Sequence, residues 1–254
     1  MNLALKDKVV VVTGGTRGIG KQMAMDFLSQ GAKVIMVARE QPNDDSFTKL
    51  LSENIASLQL VLCDVTNAES MHDCFMQALA KWSRIDIVVA NVGNGASTQQ
   101  PVSDIAQWNK IWDINFTSAV NTARAFSEEL SRNNGSLVFI SSIAGIEFIG
   151  APTDYSTAKN ALIAFAKSLS HRLAPNARVN VVAPGNIWTE EGTWKNKMEK
   201  DPDAVTNMLN TKVPMKRFGT TEEVSNAVLF LSSSKASFIT GACLVVDGGQ
   251  TISF

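Results

Sequence analysis

The sequence predicts an α/β protein: a doubly wound parallel sheet of about seven strands with helices on both faces. Three observations carry this. Short runs rich in Val, Ile and Leu recur along the 254 residues, amphipathic helical stretches separate them, and a glycine-rich turn follows the first run. The runs are mostly continuous rather than alternating, as in strands covered on both faces.

Taken in order, the candidate strands are Lys8–Thr13, Lys33–Ala38, Leu58–Cys63, Ile85–Ala90, Ser136–Ser141, Arg178–Ala183 and Cys243–Val246. The intervening segments have helical length. After Tyr155, for example, Ala158, Ala161, Leu162, Phe165 and Leu169 recur at the spacing of one helix face. No repeat, low-complexity tract or Pro/Gly-rich linker divides the chain, so one domain over residues 1–254 is expected. Residues 189–213 break the rhythm: they are charged, lack a strand-like run and carry Trp194, Met198 and Met208. Following a strand whose carboxyl end faces the ligand side of such a sheet, they are expected to form a mobile helical lid.

Composition excludes several classes. Apolar residues make up 45%, charged residues 19%, and the net charge is −1, which leaves no electrostatic footprint for nucleic acid. The apolar run Val9 to Val12 is too short to span a membrane and lacks the flanks of a signal peptide, so a cytoplasmic protein is expected. Cys63, Cys74 and Cys243 have no metal-ligand spacing and read as buried or half-buried thiols. His72 and His171 fall in helix patterns away from any nucleophile, and read as solvent-facing; metal sites and serine–histidine hydrolysis have little to build on. No metal is required.

The chemistry-bearing residues form an ordered series. Gly14, Thr16, Arg17, Gly18, Ile19 and Gly20 lie in the first strand-to-helix turn, where glycine permits close approach of a pyrophosphate to a helix N-terminus. The second strand ends Val37-Ala38-Arg39-Glu40, with no aspartate to hold a ribose hydroxyl. Arg39 and Arg17 together suit a phosphate dianion, which favours NADP(H) over NAD(H). The chain's single tyrosine, Tyr155, stands four residues before Lys159, on one helix face. Ser142 lies just after the fifth strand. A Lys159 ammonium beside Tyr155 would favour the phenolate, as would an oxidised nicotinamide, and Ser142 suits a hydrogen bond to a substrate oxygen.

In order and spacing, these motifs resemble the short-chain dehydrogenase/reductase family in its compact form, over almost the whole chain. The resemblance implies a Rossmann-type fold that interconverts ketones and secondary alcohols. Tyr155 would be the acid/base, Ser142 would orient the carbonyl, and Lys159 would tune Tyr155 and bind the nicotinamide ribose. Asn115, in Asp113-Ile114-Asn115-Phe116, matches the asparagine supporting a water-linked proton relay. Further cofactor contacts are implied at Asp64 and Val65 (adenine), at Asn91 and Gly93 in Asn91-Val92-Gly93, and at Pro184, Gly185, Ile187 and Thr189 (nicotinamide). Val246-Asp247-Gly248-Gly249 matches a C-terminal signature near subunit interfaces, and a homotetramer or dimer is implied.

Substrate is less legible. Relatives of this size include 3-oxoacyl-[acyl-carrier-protein] reductases, which often carry arginines where this chain has Asn133 and Asn176. Arg132, Arg172 and Arg178 stand nearby, so acyl carrier protein stays open as a partner though weakened. Around the expected pocket Ile143, Ile146, Phe148 and Ile149 are apolar, while Asn94 and Ser97 would suit a hydroxylated substrate. Glu147 reads as a solvent-facing carboxylate. The alternatives are an NAD-linked sugar, polyol or hydroxy-acid dehydrogenase, and a non-catalytic NADP-binding regulatory protein.

Overall fold

Strand residues alternate between two cores. In the computed structural model, which describes residues 2–98 and 100–253, Val9 and Val11 of β1 (Val9–Thr13) pack into one apolar cluster and Val10 and Val12 into another. The same alternation runs through β2 (Lys33–Ala38), β4 (Ile87–Ala90) and β5 (Ser136–Ile140). Successive Cβ atoms point to opposite faces, so a strand covered on both sides must be apolar throughout.

Seven parallel strands lie in the order β3-β2-β1-β4-β5-β6-β7, where β3 is Leu58–Leu62, β6 is Arg178–Pro184 and β7 is Cys243–Val246. One face is covered by α1 (Gly18–Ser29), α2 (Asp45–Glu53) and α9 (Thr221–Ser232), through Met23, Phe27, Phe47, Val224 and Val228. The other is covered by α3 (Ala68–Trp82), α5 (Ser118–Arg132) and α6 (Thr153–Leu173), through Met71, Phe126, Leu130 and Leu162. Strand order reverses between β1 and β4, and their carboxyl ends open the crevice where such sheets bind ligands.

The expected strands are all present, with small shifts at their ends. Lys8, Ile85 and Asp86 lie just before their strands, though the Lys8 and Asp86 carbonyls still accept from Lys33 and Ser136; the buried Asp86 carboxylate takes the Val9 N–H at 3.0 Å and the Lys8 and Arg84 side chains. Cys63 and Ser141 lie just past their strands yet still donate to Ala38 O and Val182 O, and β6 runs on to Pro184.

Residues 189–213 contain α7 (Thr193–Lys200) and α8 (Pro202–Lys212), which carry a small core of their own. Val205, Leu209 and Val213 pack beneath Trp194, Met198, Met208 and Phe218. One interruption was not foreseen: between α4 (Ile105–Trp112) and α5 the helix widens into a π-turn over Asp113–Thr117. His72 and His171 are exposed, Cys63 and Cys74 buried and Cys243 half-buried, as expected. Among the described residues no helix is long and apolar enough to cross a membrane, and no cluster of metal-ligating side chains occurs.

Phe126 is fully buried and meets Phe75 edge-on at 5.4 Å. Phe126→Ala is expected to lower unfolding stability by about 3–5 kcal/mol, read as a reduced urea midpoint at unchanged slope. A midpoint within error of wild type would contradict this packing.

Candidate active site

The turn after β1 is tied to the end of β4. Asn91 donates through Nδ2 to Thr13 O (3.0 Å) and Gly14 O (3.3 Å), and its own N–H donates to Thr13 Oγ1 at 3.0 Å. Gly20 is required sterically, since a Cβ there would stand 2.0 Å from Gly14 O and 2.7 Å from Asn91 Nδ2. Helix α1 therefore begins in close contact with the turn. Side-chain caps close the N-termini of α2, α3, α4, α8 and α9 through Asp44, Asn67, Asp104, Asp201 and Thr220. Arg17, at the N-cap of α1, supplies none. The first N–H groups of α1 and its dipole are thus open to an anion, and the chain here fits a nucleotide pyrophosphate.

Beside this turn lies a cavity of about 390 Å³ lined by Gly18, Trp188, Thr189, Glu190, Glu191, Thr220, Thr221 and Glu222. Thr189 approaches Gly18 because Pro184-Gly185-Asn186-Ile187 is anchored from three sides. Gly185 N donates to Val246 O, Asn186 Nδ2 to Gln250 Oε1, and Gly219 N to Asn186 O. Ile187 bridges in parallel to Gly219 and is almost wholly buried. At the far end of the crevice Arg39 and Arg17 are exposed, and neither enters an ion pair among the described residues. The Thr66 hydroxyl and N–H hold the Asp64 carboxyl below its ordinary range, with a smaller pull from Arg39. Val65 turns its side chain into the core, and its carbonyl accepts from Asn121. Thr16 and Ile19 are half-buried.

The catalytic candidates converge at the carboxyl ends of β4 and β5. Tyr155 and Lys159 stand one turn apart near the start of α6, with the Lys159 ammonium 5.9 Å from the Tyr155 ring centre. Lys159 is 3% exposed and donates to Ile140 O at 3.0 Å. Burial brings its pKa down from 10.5 to about 8. Gly93 makes room for it: a Cβ there would lie 2.8 Å from Lys159 Nζ and 3.0 Å from Asn115 Oδ1. Asn115, fully buried in the π-turn, donates to Asn94 O and Ile111 O (both 2.9 Å) and accepts from Asn94 N at 3.0 Å. The side chain acts as a brace between the helix and the loop after β4. π-Turns of this kind often mark functional sites.

Burial dominates at Tyr155 and pushes its pKa up, opposed by a hydrogen bond with Ser142. Tyr155 is half-buried, and the lowering expected from Lys159 together with an oxidised nicotinamide concerns the site with nucleotide bound. Ser142 caps the short turn Ile143–Gly145 by accepting from Ala144 N at 3.2 Å. Two further features carried no sequence signal. Buried Asp154 accepts from Tyr155 N (2.8 Å), from Ser103 Oγ (2.9 Å) and from Ser97 Oγ, tying the loop after β4 to the tyrosine helix. Glu147 is not free in solvent as expected: its Oε1 accepts the Ile252 N–H at 2.8 Å and also the Ser253 N–H. An isolated acidic residue in sequence gives no hint of such distant partners.

A nucleotide cleft leading to a serine, a tyrosine and a buried lysine defines an oxidoreductase that acts on CH–OH and C=O groups with a nicotinamide cofactor. Comparison with known proteins agrees. Residues 14–251 match the family model described as enoyl-(acyl carrier protein) reductase. The chain is 35% identical over 248 residues to short-chain dehydrogenase/reductase SDRA of Arabidopsis thaliana, covering 97% of this chain and 95% of that protein. It is 35% identical over 254 residues to the 3-oxoacyl-[acyl-carrier-protein] reductase FabG of Chlamydia muridarum, covering 98% and 100%. L-Sorbose reductase from Gluconobacter frateurii, solved with NADPH and L-sorbose, superposes with a TM-score of 0.92 at 27% identity over 100% of both chains. The chain belongs to the short-chain dehydrogenase/reductase family.

Gly93→Ala is expected to displace the Lys159 ammonium and weaken nicotinamide-nucleotide binding by at least about tenfold, the equivalent of about 1.4 kcal/mol, with the fold intact by circular dichroism. Undiminished binding in a titration would show that the crowding is relieved elsewhere.

Proposed function

We propose that this protein is an NADP(H)-dependent reductase that interconverts a ketone and a secondary alcohol, with Tyr155 as acid/base. The observation that carries the reading is the meeting of Tyr155, Ser142 and the buried Lys159 at the inner end of the nucleotide crevice. When bound, the nicotinamide supplies or accepts the hydride. The chain's own residues manage the oxygen. Tyr155, its pKa raised by burial from an ordinary value already well above neutral, carries its proton at neutral pH and can deliver it to a carbonyl oxygen as negative charge develops there. Ser142 donates a hydrogen bond to the same oxygen. Lys159, charged below about pH 8, stabilises the phenolate left behind and holds the ribose hydroxyls. Asn115 keeps the loop after β4 in register with Lys159 and supports the proton relay.

Support for NADP(H) comes from Arg17 and Arg39, exposed and without ion-pair partners among the described residues, beside a second strand that ends in Ala38 rather than a carboxylate. Gly14, Thr16, Gly18, Ile19 and Gly20 hold the pyrophosphate in this reading. Asp64 and Val65 hold the adenine; Asn91, Gly93, Pro184, Gly185, Ile187 and Thr189 surround the nicotinamide end. The α7–α8 segment acts as a lid over the substrate. The edge strand β7, with Leu244 partly exposed, and the helices α5 and α6 offer surfaces for a dimer or tetramer.

Docking of acyl carrier protein has little support. Arg178 is engaged with the carbonyls of Leu231, Ile239, Ser232 and Ser233, and Arg132 pairs with Glu128 and Glu129. Asn133 bonds Ile85 O and Glu129, which leaves Arg172 as the arginine of the group that enters neither an ion pair nor such carbonyl bonds among the described residues.

Tyr155→Phe is expected to reduce kcat by roughly 10²–10⁴-fold while NADPH binding persists, measured by NADPH consumption and by fluorescence titration. Equal turnover in mutant and wild type would refute the assignment. For cofactor choice, Arg39→Ala is expected to reduce the NADPH-over-NADH ratio of kcat/KM by roughly ten- to a hundredfold, the worth of a charged hydrogen bond of about 1.5–3 kcal/mol. A wild-type enzyme that prefers NADH would contradict the NADP(H) reading.

A further inference from the structure

We infer that the substrate is a ketone or secondary alcohol with an apolar body, rather than a sugar or other polyhydroxylated compound. The inference rests on the carbonyl-reductase reading above and names its substrate class.

The polar side chains best placed for a hydroxylated substrate are engaged within the protein. Ser97 Oγ donates to Asp154 and accepts from Gln107 Nε2 at 3.2 Å, so its donor is committed. Asn94 Oδ1 accepts the Ala96 N–H at 2.9 Å, and Glu147 Oε1 accepts the backbone of the C-terminal segment. Of these three side chains, the Asn94 amide hydrogens and the second Glu147 oxygen remain to meet a ring of hydroxyl groups. A polyol that displaces water without replacing its hydrogen bonds loses affinity.

The same bonds position apolar side chains around the mouth. Glu147 holds Ile252 by its N–H, which brings Ile252 beside the loop that carries Phe148; the two side chains are 85% and 96% exposed. Asp154 holds Ser103 next to Val102, itself 70% exposed and three residues before the exposed Ile105 that begins α4. These residues all follow the carboxyl ends of β4, β5 and β7, the edge on which Tyr155 and Ser142 stand. Exposed aliphatic and aromatic groups on one edge of the sheet mark a surface built to be covered. The catalytic pair stands on the same edge, and an apolar substrate is the occupant that would reach both.

The test compares hexan-2-one, decan-2-one and a 2-ketohexose as substrates with NADPH. It uses wild type, Tyr155→Phe and the rim variant Phe148→Ser/Ile252→Ser, and records molar mass in solution for each. Each methylene covered by the rim is expected to raise kcat/KM by up to about fourfold, so decan-2-one exceeds hexan-2-one and both exceed the ketohexose. The rim variant should lower the decanone-to-hexanone ratio without changing molar mass. Tyr155-dependent turnover that favours the ketohexose would overturn this inference while sustaining the reductase reading. A rim variant that dissociates, with all substrates affected equally, would make the rim a contact between copies of the chain and overturn it also. Absence of Tyr155-dependent turnover with any carbonyl would overturn the reductase reading itself, and the inference with it.

Discussion

The catalytic end of this molecule is arranged around an ammonium group with almost no water. Lys159 sits 3% exposed between the end of β5 and the loop after β4, with the carbonyl of Ile140 as its hydrogen-bond acceptor. A buried charge with so little compensation is costly, and its lowered pKa reflects that. Its neighbours are placed accordingly. Residue 93 has no side chain because one would collide with Nζ, and Asn115 braces the adjoining loop from a widened helical turn. Tyr155 stands one turn earlier on the same helix. In the proposed reading a bound nucleotide brings its ribose hydroxyls toward a cation that has one hydrogen-bond acceptor among the described residues, and so adds partners that folding alone does not supply.

The framework was readable from sequence because it depends on local rules. Continuous apolar runs gave the strands, since both faces of the sheet are covered. Four-residue spacing put Tyr155 and Lys159 on one helix face, and the glycine turn identified the start of α1. What escaped detection depends on contacts between residues far apart in sequence. Asp154 meets Ser97 and Ser103 across more than fifty positions, and Glu147 meets the backbone of Ile252 across 105. Arg178 looks like a docking residue in sequence but is drawn into the carbonyls that end α9. The π-turn at Asn115 has no signature in residue type; within it the Asn115 side chain donates to the Ile111 carbonyl.

Two layers with different tolerances follow from this arrangement. The inner layer, formed by the ends of β1, β4 and β5 with Gly20, Gly93, Asn115 and Lys159, is crowded to within van der Waals contact and allows few substitutions. The outer layer, formed by the loops after β4 and β5, the α7–α8 segment and the C-terminal residues, is joined by a handful of side-chain-to-backbone bonds. Loops borne on a rigid sheet can change composition without disturbing the sheet. That accounts for relatives with the same fold whose names span fatty-acyl and sugar substrates. Specificity in this family must therefore be argued from the rim of each member, and the fold alone does not supply it.

The most direct test of this account is an NMR titration of the protein with ¹⁵Nζ/¹³Cε-labelled lysine, assigned by comparison with Lys159→Met. The account predicts one resonance, absent from the variant, that titrates near pH 8 and moves upward when NADP(H) is added. If the Lys159 resonance instead titrates with the bulk of the lysines near 10.5, the ammonium is hydrated, and the organisation of the site around a dry cation is wrong.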